Sequence, residues 1–282
     1  MLLIALSLIW GSSFILMKRG LEAFSSDVVA ALRISIAFVI LSPLLIVHHK
    51  INLRKYFWGL IWMGVLGNLI PAFLFTASET QISSSLAGML NALTPLFTVL
   101  VGFIWLKNSP SRKQVFGIVL GFVSASALMY FSDGSDKFKN LAYASLVVVA
   151  TVCYALSING IKKFLTELNA VTATVWAFCF TGPIALVYLF GFTDFVQVMN
   201  THPKALYSLG FTGILAIVGT AFSVVLYNIL IRNAGAVFAS SCTYLIPIVA
   251  VMWGILEGEK IHVIQIISVA LVIASVYWIN RD

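Results

Sequence analysis

Charged side chains are scarce in this sequence, because Asp, Glu, Lys and Arg together make up only 10% of its 282 residues. Hydrophobic residues make up 61%, whereas soluble globular domains are nearer half apolar and a quarter charged. The chain therefore has too little charge to cover a surface that faces water. These proportions exclude one large soluble domain and predict a protein that buries its apolar surface in lipid.

Cysteines and catalytic motifs are also few. The three cysteines, Cys153, Cys179 and Cys242, lie far apart within apolar stretches, a pattern that predicts neither a disulfide framework nor a zinc site. The sequence contains no His-Glu-x-x-His, Gly-x-Ser-x-Gly or Gly-x-x-x-x-Gly-Lys motif. We therefore expect no enzyme activity, no metal and no cofactor.

The net charge of +7 is distributed in a way that argues against nucleic-acid binding. Lys and Arg lie mostly in short clusters between long apolar stretches, for example within residues 48–55. A nucleic-acid-binding protein gathers its basic side chains on one folded surface. Clusters between apolar stretches are instead typical of the loops that orient a membrane protein.

Ten segments approach or reach the roughly 20 apolar residues that a helix needs to cross a bilayer. Several contain glycine or proline, which membrane helices tolerate because neighbouring helices satisfy the freed backbone groups. We expect the first segment to be a retained helix, because it lacks the flanking features of a signal peptide. The predicted spans are 2–17, 27–47, 56–77, 83–106, 113–131, 141–162, 171–190, 205–231, 236–256 and 261–279.

The Lys and Arg residues outside these spans indicate the orientation of the chain. Ten fall on the side that includes both termini and six fall on the other side. Arg33 is left out of this count because it lies inside a span. Because basic loop residues are retained in the cytoplasm, we predict a multi-pass protein of the inner or plasma membrane with both termini cytoplasmic.

An internal repeat is visible around two prolines. Pro95 lies near the middle of the fourth span and Pro247 near the middle of the ninth, and aligning them places Asn91 on Thr243. Trp10-Gly11 likewise falls on Tyr154-Ala155. Five spans thus repeat as five spans, and because five is odd, the second half enters the membrane from the opposite side. We predict an all-α membrane protein with two inverted five-helix repeats, residues 1–132 and 140–282.

Short motifs occur in a characteristic order along the whole chain. They are Trp10-Gly11-Ser12-Ser13-Phe14, then Ala31-Leu32-Arg33 with Ala37, then Leu93-Thr94-Pro95-Leu96-Phe97-Thr98, and finally Glu257-Gly258-Glu259-Lys260. At these residues the sequence resembles the EamA-type members of the drug/metabolite transporter superfamily. The first repeat departs from the family where Gly-Glu is common, and reads Leu106-Lys107-Asn108. The resemblance implies transport of small metabolites, often by export, and leaves the substrate open.

The two prolines also indicate where a solute would bind. Proline has no N–H, so the carbonyl four residues earlier, in Asn91 and in Thr243, loses its helical partner. In lipid such groups must find other partners or line a wet cavity. We expect Pro95 and Pro247 to form helix kinks or gates, with simple packing kinks as the alternative. A central cavity between the first, third, fourth, sixth, eighth and ninth spans is predicted to be lined by Trp10, Ser13, Asn91, Tyr154, Tyr227, Thr243 and Tyr244.

Arg33 is an exception to the apolar pattern. It lies about a turn and a half into the second span, where a charge costs roughly 2.5–3.5 kcal/mol at the centre and less near the edge. Glu79 ends the third span on the same predicted side, so we expect an Arg33–Glu79 ion pair. The alternative is an arginine that extends its head group to the interface. The sequence places no carboxylate unambiguously at mid-bilayer.

Together these features predict a secondary transporter, an exporter of amino acids or other amphipathic or aromatic metabolites, that works by alternating access through a central cavity. An intramembrane channel or receptor without catalytic activity is the alternative. The expected partners are a small-molecule solute and the lipid bilayer, with no nucleic acid. The sequence does not indicate the oligomeric state.

Overall fold

A computed structural model of the protein describes residues 1–106, 111–131, 137–235, 238–239 and 241–279. The predicted repeat ends at residues 132 and 282 lie outside these ranges, as do Lys107 and Asn108. The described part of the chain is helical and contains no strand. Its ten apolar helices are α1 Leu2–Gly20, α2 Ser26–His48, α3 Leu53–Glu79, α4 Ser84–Trp105, α5 Arg112–Tyr130, α6 Lys137–Phe164, α7 Ala170–Phe192, α8 Ala205–Ala234, α9 Cys242–Leu256 and α10 Val263–Ile279.

Eight of these helices, α1 to α8, are long and apolar enough to cross a membrane, whereas the described parts of α9 and α10 are shorter. The outer surface suits lipid, because large apolar side chains remain exposed on it. Trp58 is 77% exposed, Ile46 is 80% exposed and Phe192 is 76% exposed. An all-helical membrane fold is therefore confirmed, while ten membrane crossings remain a prediction.

Apart from a 3₁₀ turn at Ser42–Leu44 near the end of α2, four helices are interrupted. The α-helical pattern of α4 stops at Asn91 and resumes at Thr94, and α9 begins with a 3₁₀ turn, Ser241–Tyr244, before its α-helix starts at Ile246. Pro95 and Pro247 are the second residues of the resumed helices, a position where a missing N–H costs little. In α3 and α8 the interruptions are π-helical segments, Val65–Leu69 and Ile217–Phe222.

The helices pack in a regular scheme in which α2 contacts α7, α4 contacts α9 and α5 contacts α10. In addition, α1 packs on α8 and α3 packs on α6. Small residues permit the close approaches that membrane helices favour. At the α4–α9 contact, for example, a Cβ added to Gly88 would lie 2.3 Å from the Cβ of Ala250. This packing leaves an internal space where the interrupted helices meet.

Candidate functional site

The internal space is a cavity whose walls come from α1, α2, α3, α4, α6, α8 and α9. Its volume is about 100 Å³, counted over the positions open to the centre of a water-sized sphere. One water needs about 10–15 Å³ on this measure. The cavity therefore has room for several waters or for part of a small solute.

Six of the seven residues predicted for such a cavity line it, namely Trp10, Ser13, Asn91, Tyr154, Tyr227 and Thr243. The seventh, Tyr244, does not line it and packs against the main apolar core instead. Pro95 and Pro247 are buried beside the cavity, at the helix breaks that bring Asn91 and Thr243 to its wall. The second helix also contributes to the wall, through Arg33 and Ile34, and the predicted set of bounding helices lacked it.

Aromatic rings form much of the apolar wall. The rings of Trp10 and Tyr227 meet edge to face, with centroids 4.9 Å apart, and the indole Nε1 of Trp10 donates to the Gly219 carbonyl at 3.0 Å. Across the cavity, the rings of Phe75 and Tyr154 stack with centroids 5.9 Å apart. Such walls suit a flat or amphipathic solute with few polar groups.

Two polar residues of the wall, Asn68 and Thr220, belong to the π-helical segments. The Asn68 side-chain amide donates to the Met63 carbonyl at 3.4 Å, and the Thr220 hydroxyl donates to the Leu215 carbonyl at 3.3 Å. A π-helical segment leaves backbone groups without their regular partners, and such segments often occur at functional sites. The sequence reasoning missed both residues, because neither segment contains a proline that would have marked it.

The helix break in α4 corrects one expectation about the prolines. The Asn91 carbonyl was predicted to be a free acceptor, but it accepts a hydrogen bond from the Thr94 hydroxyl at 2.9 Å. The next turn of α4 is tied to α6, because the Asn159 side-chain amide donates to the Thr98 carbonyl at 3.0 Å. Side-chain donors therefore satisfy the backbone at this break, as membrane helices require.

The guanidinium of Arg33 contacts α8 and α1 directly. Its Nε donates to the Thr220 hydroxyl at 2.6 Å, and its Nη1 lies 3.9 Å from the Met17 sulfur. Both carboxylate oxygens of Glu79 are buried, and neither has a hydrogen-bond partner among the residues that the structure describes. The described residues therefore contain no Arg33–Glu79 contact within 4.0 Å, although the two charges lie close enough to interact electrostatically, and their pairing stays a prediction.

At one end of the molecule a carboxylate joins three helices. Glu259, in the turn between α9 and α10, pairs with Lys18 at the end of α1 at 2.9 Å. It also accepts the backbone N–H groups of Ser84 at 3.1 Å and Ser85 at 3.2 Å, and the Ser85 hydroxyl. Burial raises the pKa of Glu259, but the hydrogen bonds from Ser85 and Lys18 outweigh it and hold the pKa below its ordinary value. Glu259 thus caps the first turn of α4 and fastens α1 to it.

A second group of ion pairs extends this contact. Arg19 pairs with Glu22 at 2.7 Å and with Glu257, and Lys204 pairs with Glu22 at 2.6 Å. Hydrogen bonds from Lys204 and Arg19 lower the pKa of Glu22. We call these two groups together the ion-pair end, comprising Lys18, Arg19, Glu22, Lys204, Glu257 and Glu259. It links the ends of α1 and α9 to the beginnings of α4 and α8.

The opposite end of the molecule contains a further internal space. A second cavity lies there among α6, α7 and α8, and it shares Ile161 and Asn228 with the central cavity. Its volume is about 220 Å³ on the same measure. In the one ion pair described at this end, Lys55–Glu167, both side chains are exposed. The central cavity therefore adjoins this second cavity, which we call the vestibule, toward one end of the molecule, and the ion-pair end lies at the other.

This geometry defines a polytopic helical membrane protein that encloses a small, partly polar cavity between interrupted helices. The chain belongs to the EamA-like transporter family, whose sequence model matches residues 1–130 and 141–281. It is therefore a membrane transporter, and the resemblance drawn from its motifs is confirmed.

Two relatives and one solved structure illustrate the similarity. The chain is 26% identical over 282 residues to the uncharacterized inner membrane transporter YedA of Escherichia coli, covering 97% of this chain and 88% of that protein. It is 24% identical over 264 residues to an S-adenosylmethionine/S-adenosylhomocysteine transporter of Chlamydia trachomatis, covering 89% and 80%. A solved crystal structure shares the fold, with a TM-score of 0.66 at 12% identity and coverage of 99% of this chain and 95% of its own.

Proposed function

We propose that the protein is a secondary transporter, and not an enzyme, that exports a small amphipathic metabolite by alternating access through the central cavity. The observation that carries this proposal is the asymmetry of the cavity's two ends. One end is fastened by ion pairs, whereas the other adjoins a vestibule. A cavity open to one side of a membrane at a time is what alternating access requires.

The proposal includes ten membrane spans in two inverted repeats. Helices at equivalent places pack on each other, α2 on α7, α4 on α9 and α5 on α10, as a pseudo-two-fold axis would require. Gly67 and Gly219, in the two π-helical segments, are 152 positions apart, as are Pro95 and Pro247. The family's sequence model also matches the two halves separately. These observations support a repeat in which the cavity lies at the interface of the halves.

The proposed orientation places both termini in the cytoplasm, so that the ion-pair end is external and the vestibule is cytoplasmic. The count of basic residues supports this assignment. The similarity to an inner membrane transporter of Escherichia coli supports the cell membrane as the location. On this assignment the structure represents a state that is open to the cytoplasm and ready to receive a solute for export.

The proposed solutes are amino acids and other amphipathic or aromatic metabolites. The aromatic walls formed by Trp10, Tyr227, Phe75 and Tyr154 support an apolar or flat solute body. The similarity to a transporter of S-adenosylmethionine and S-adenosylhomocysteine also supports an amino-acid-containing solute. The alternative, a channel, would need a path open at both ends, and the ion-pair end argues against one.

Counterflow in proteoliposomes tests the proposal. We expect saturable uptake of a labelled solute that is stimulated by unlabelled solute inside, whereas a channel would conduct without saturation. Asn91→Leu and Thr243→Val should each lower uptake at least about tenfold, because they remove polar groups from the cavity wall. The exposed pair Asn200→Leu and Thr201→Val provides matched controls outside the cavity. Full uptake by both cavity variants would refute the site assignment.

A further inference from the structure

Arg33 is the only charged side chain among the described residues that line the central cavity. It is partly buried within α2, in a segment that is predicted to lie in the hydrocarbon region. A charged group in such a place needs a partner that compensates the loss of water. The residues described around it supply only part of that compensation.

The donors of the guanidinium are incompletely used. An arginine carries five N–H donors. Nε is bound to the Thr220 hydroxyl, Nη1 lies near the Met17 sulfur, and the guanidinium also interacts with the Tyr154 hydroxyl, so at least two of its donors are left for a solute. No carboxylate lies within 4.0 Å of Arg33 in the described structure. The Thr220 hydroxyl holds the Nε edge of the guanidinium, and the rest of the guanidinium borders the cavity.

The position of Arg33 also makes the cavity asymmetric. Several other polar residues of the wall come in pairs from corresponding places in the two halves, such as Ser13 with Ser157 and Asn91 with Thr243, and all the other polar residues of the wall are uncharged. The partner helix of α2 is α7, whose sequence contains no Lys or Arg. The positive charge is therefore confined to one side of the cavity, which is how a site would fix the orientation of a solute with one charged end.

We propose that Arg33 binds the carboxylate of the transported solute while the solute's apolar body packs against the aromatic walls. This inference rests on the proposed transport function. A guanidinium matches a carboxylate geometrically, because two parallel N–H groups can bind its two oxygens. A single cation balances one negative charge, so the geometry favours a monocarboxylate over a phosphate dianion. The aromatic rings near Arg33, including Tyr154, favour a body of aromatic size.

The test compares a carboxylate with its uncharged amide. 3-Phenylpropionate and 3-phenylpropionamide differ mainly in charge, and L-phenylalanine and its amide form a second pair. Binding is measured by titration calorimetry on the purified full-length protein in nanodiscs. We expect each carboxylate to bind at least about tenfold more tightly than its amide, as for a hydrogen-bonded charged group.

Variants assign this preference to Arg33. Arg33→Gln should remove the preference, Arg33→Lys should keep part of it, and Thr220→Val should weaken it because the guanidinium loses its anchor. Arg54→Gln removes an exposed arginine that does not line the cavity and should change nothing. Thr220→Val keeps the charge and the bulk of the site, so it tests the proposal even if Arg33→Gln does not fold.

Three results would overturn the inference: equal binding of carboxylate and amide, a preference that survives in folded Arg33→Gln protein, or no binding of either carboxylate. Counterflow with the amides and with S-adenosylhomocysteine separates this failure from a failure of the proposed function. If these solutes show saturable counterflow without a carboxylate preference, only the role of Arg33 is lost. If no solute shows saturable counterflow, the transport proposal fails as well.

Discussion

Trp10 shows how a single side chain serves both packing and hydrogen bonding at the cavity. Its ring contacts Tyr227, and its Nε1 donates to the carbonyl of Gly219 inside the π-helical segment of α8. Trp10→Phe keeps an aromatic ring but removes the donor. We expect a loss of about 0.5–1.5 kcal/mol in the free energy of unfolding, since the carbonyl loses a buried partner.

Denaturant unfolding in detergent measures this loss, and Trp58→Phe is the matched control because Trp58 is 77% exposed. Equal stability of the two variants would contradict a structural role for the Trp10 hydrogen bond. The indole should also matter for transport, since it holds the ring in place, so a rise in KM is expected for Trp10→Phe alone.

The residues of the cavity differ in how far the sequence could predict them. Trp10, Asn91, Tyr154 and Thr243 were predictable, because a proline or a small neighbour recurs beside them in both halves. The contact of Arg33 with Thr220 was not predictable, because the rotation of α2 about its axis decides which side chains the guanidinium reaches. That rotation depends on packing against α7 and α8, which no local pattern records.

Among the helices, glycines determine how closely the two halves approach. A Cβ on Gly88 would lie 2.3 Å from the Ala250 Cβ, so Gly88→Ala should push α4 and α9 apart and destabilise the protein by about 1–3 kcal/mol. Ala250→Gly should restore much of the loss in the double variant. In contrast, Gly213→Ala should be neutral or stabilising by up to about 1 kcal/mol, because no atom lies within 4 Å of the added Cβ.

Thermal unfolding of Gly88→Ala, of the double variant with Ala250→Gly and of Gly213→Ala tests this contact. A Gly88→Ala protein as stable as Gly213→Ala would show that the two helices do not approach as described. The helix breaks near Pro95 and Pro247 were predictable because proline marks them. The π-helical segments of α3 and α8 were not, since no proline interrupts them and only the tertiary packing selects the wider turn.

At the scale of the whole molecule, composition alone predicted a helical membrane protein, and the order of short motifs indicated its family. Which end of the cavity is fastened could not be predicted. Lys204 and Glu22 are 182 positions apart, and Lys18 and Glu259 are 241 apart. Contacts over such separations depend on the completed fold, so the ion-pair end emerges only when all ten helices are packed.

The ion-pair end should open on acidification. The pKa values of Glu22 and Glu259 are lowered in this arrangement, so ionised carboxylates stabilise it. Their contribution is complete above the ordinary Glu pKa of about 4.3 and is lost as the pH falls through the lowered values. The closed end should therefore hold at neutral pH and loosen only below about pH 4.

Spin labels at Ala23→Cys and Lys260→Cys, in a background without native cysteines, measure the distance across this end. We expect a longer distance in wild-type protein below about pH 4, and the same longer distance already at neutral pH in Glu259→Gln, because the neutral amide cannot replace the ion pair with Lys18. Glu167→Gln, which alters the exposed pair at the opposite end, should leave the distance unchanged. A distance in Glu259→Gln that matches the wild type at every pH would show that the carboxylate does not hold this end closed. A longer distance in Glu259→Gln, with an unchanged distance in Glu167→Gln, would show that closure depends on the one contact between α1, α4 and the α9–α10 turn. A single carboxylate would then control whether a solute can reach the cavity from this end.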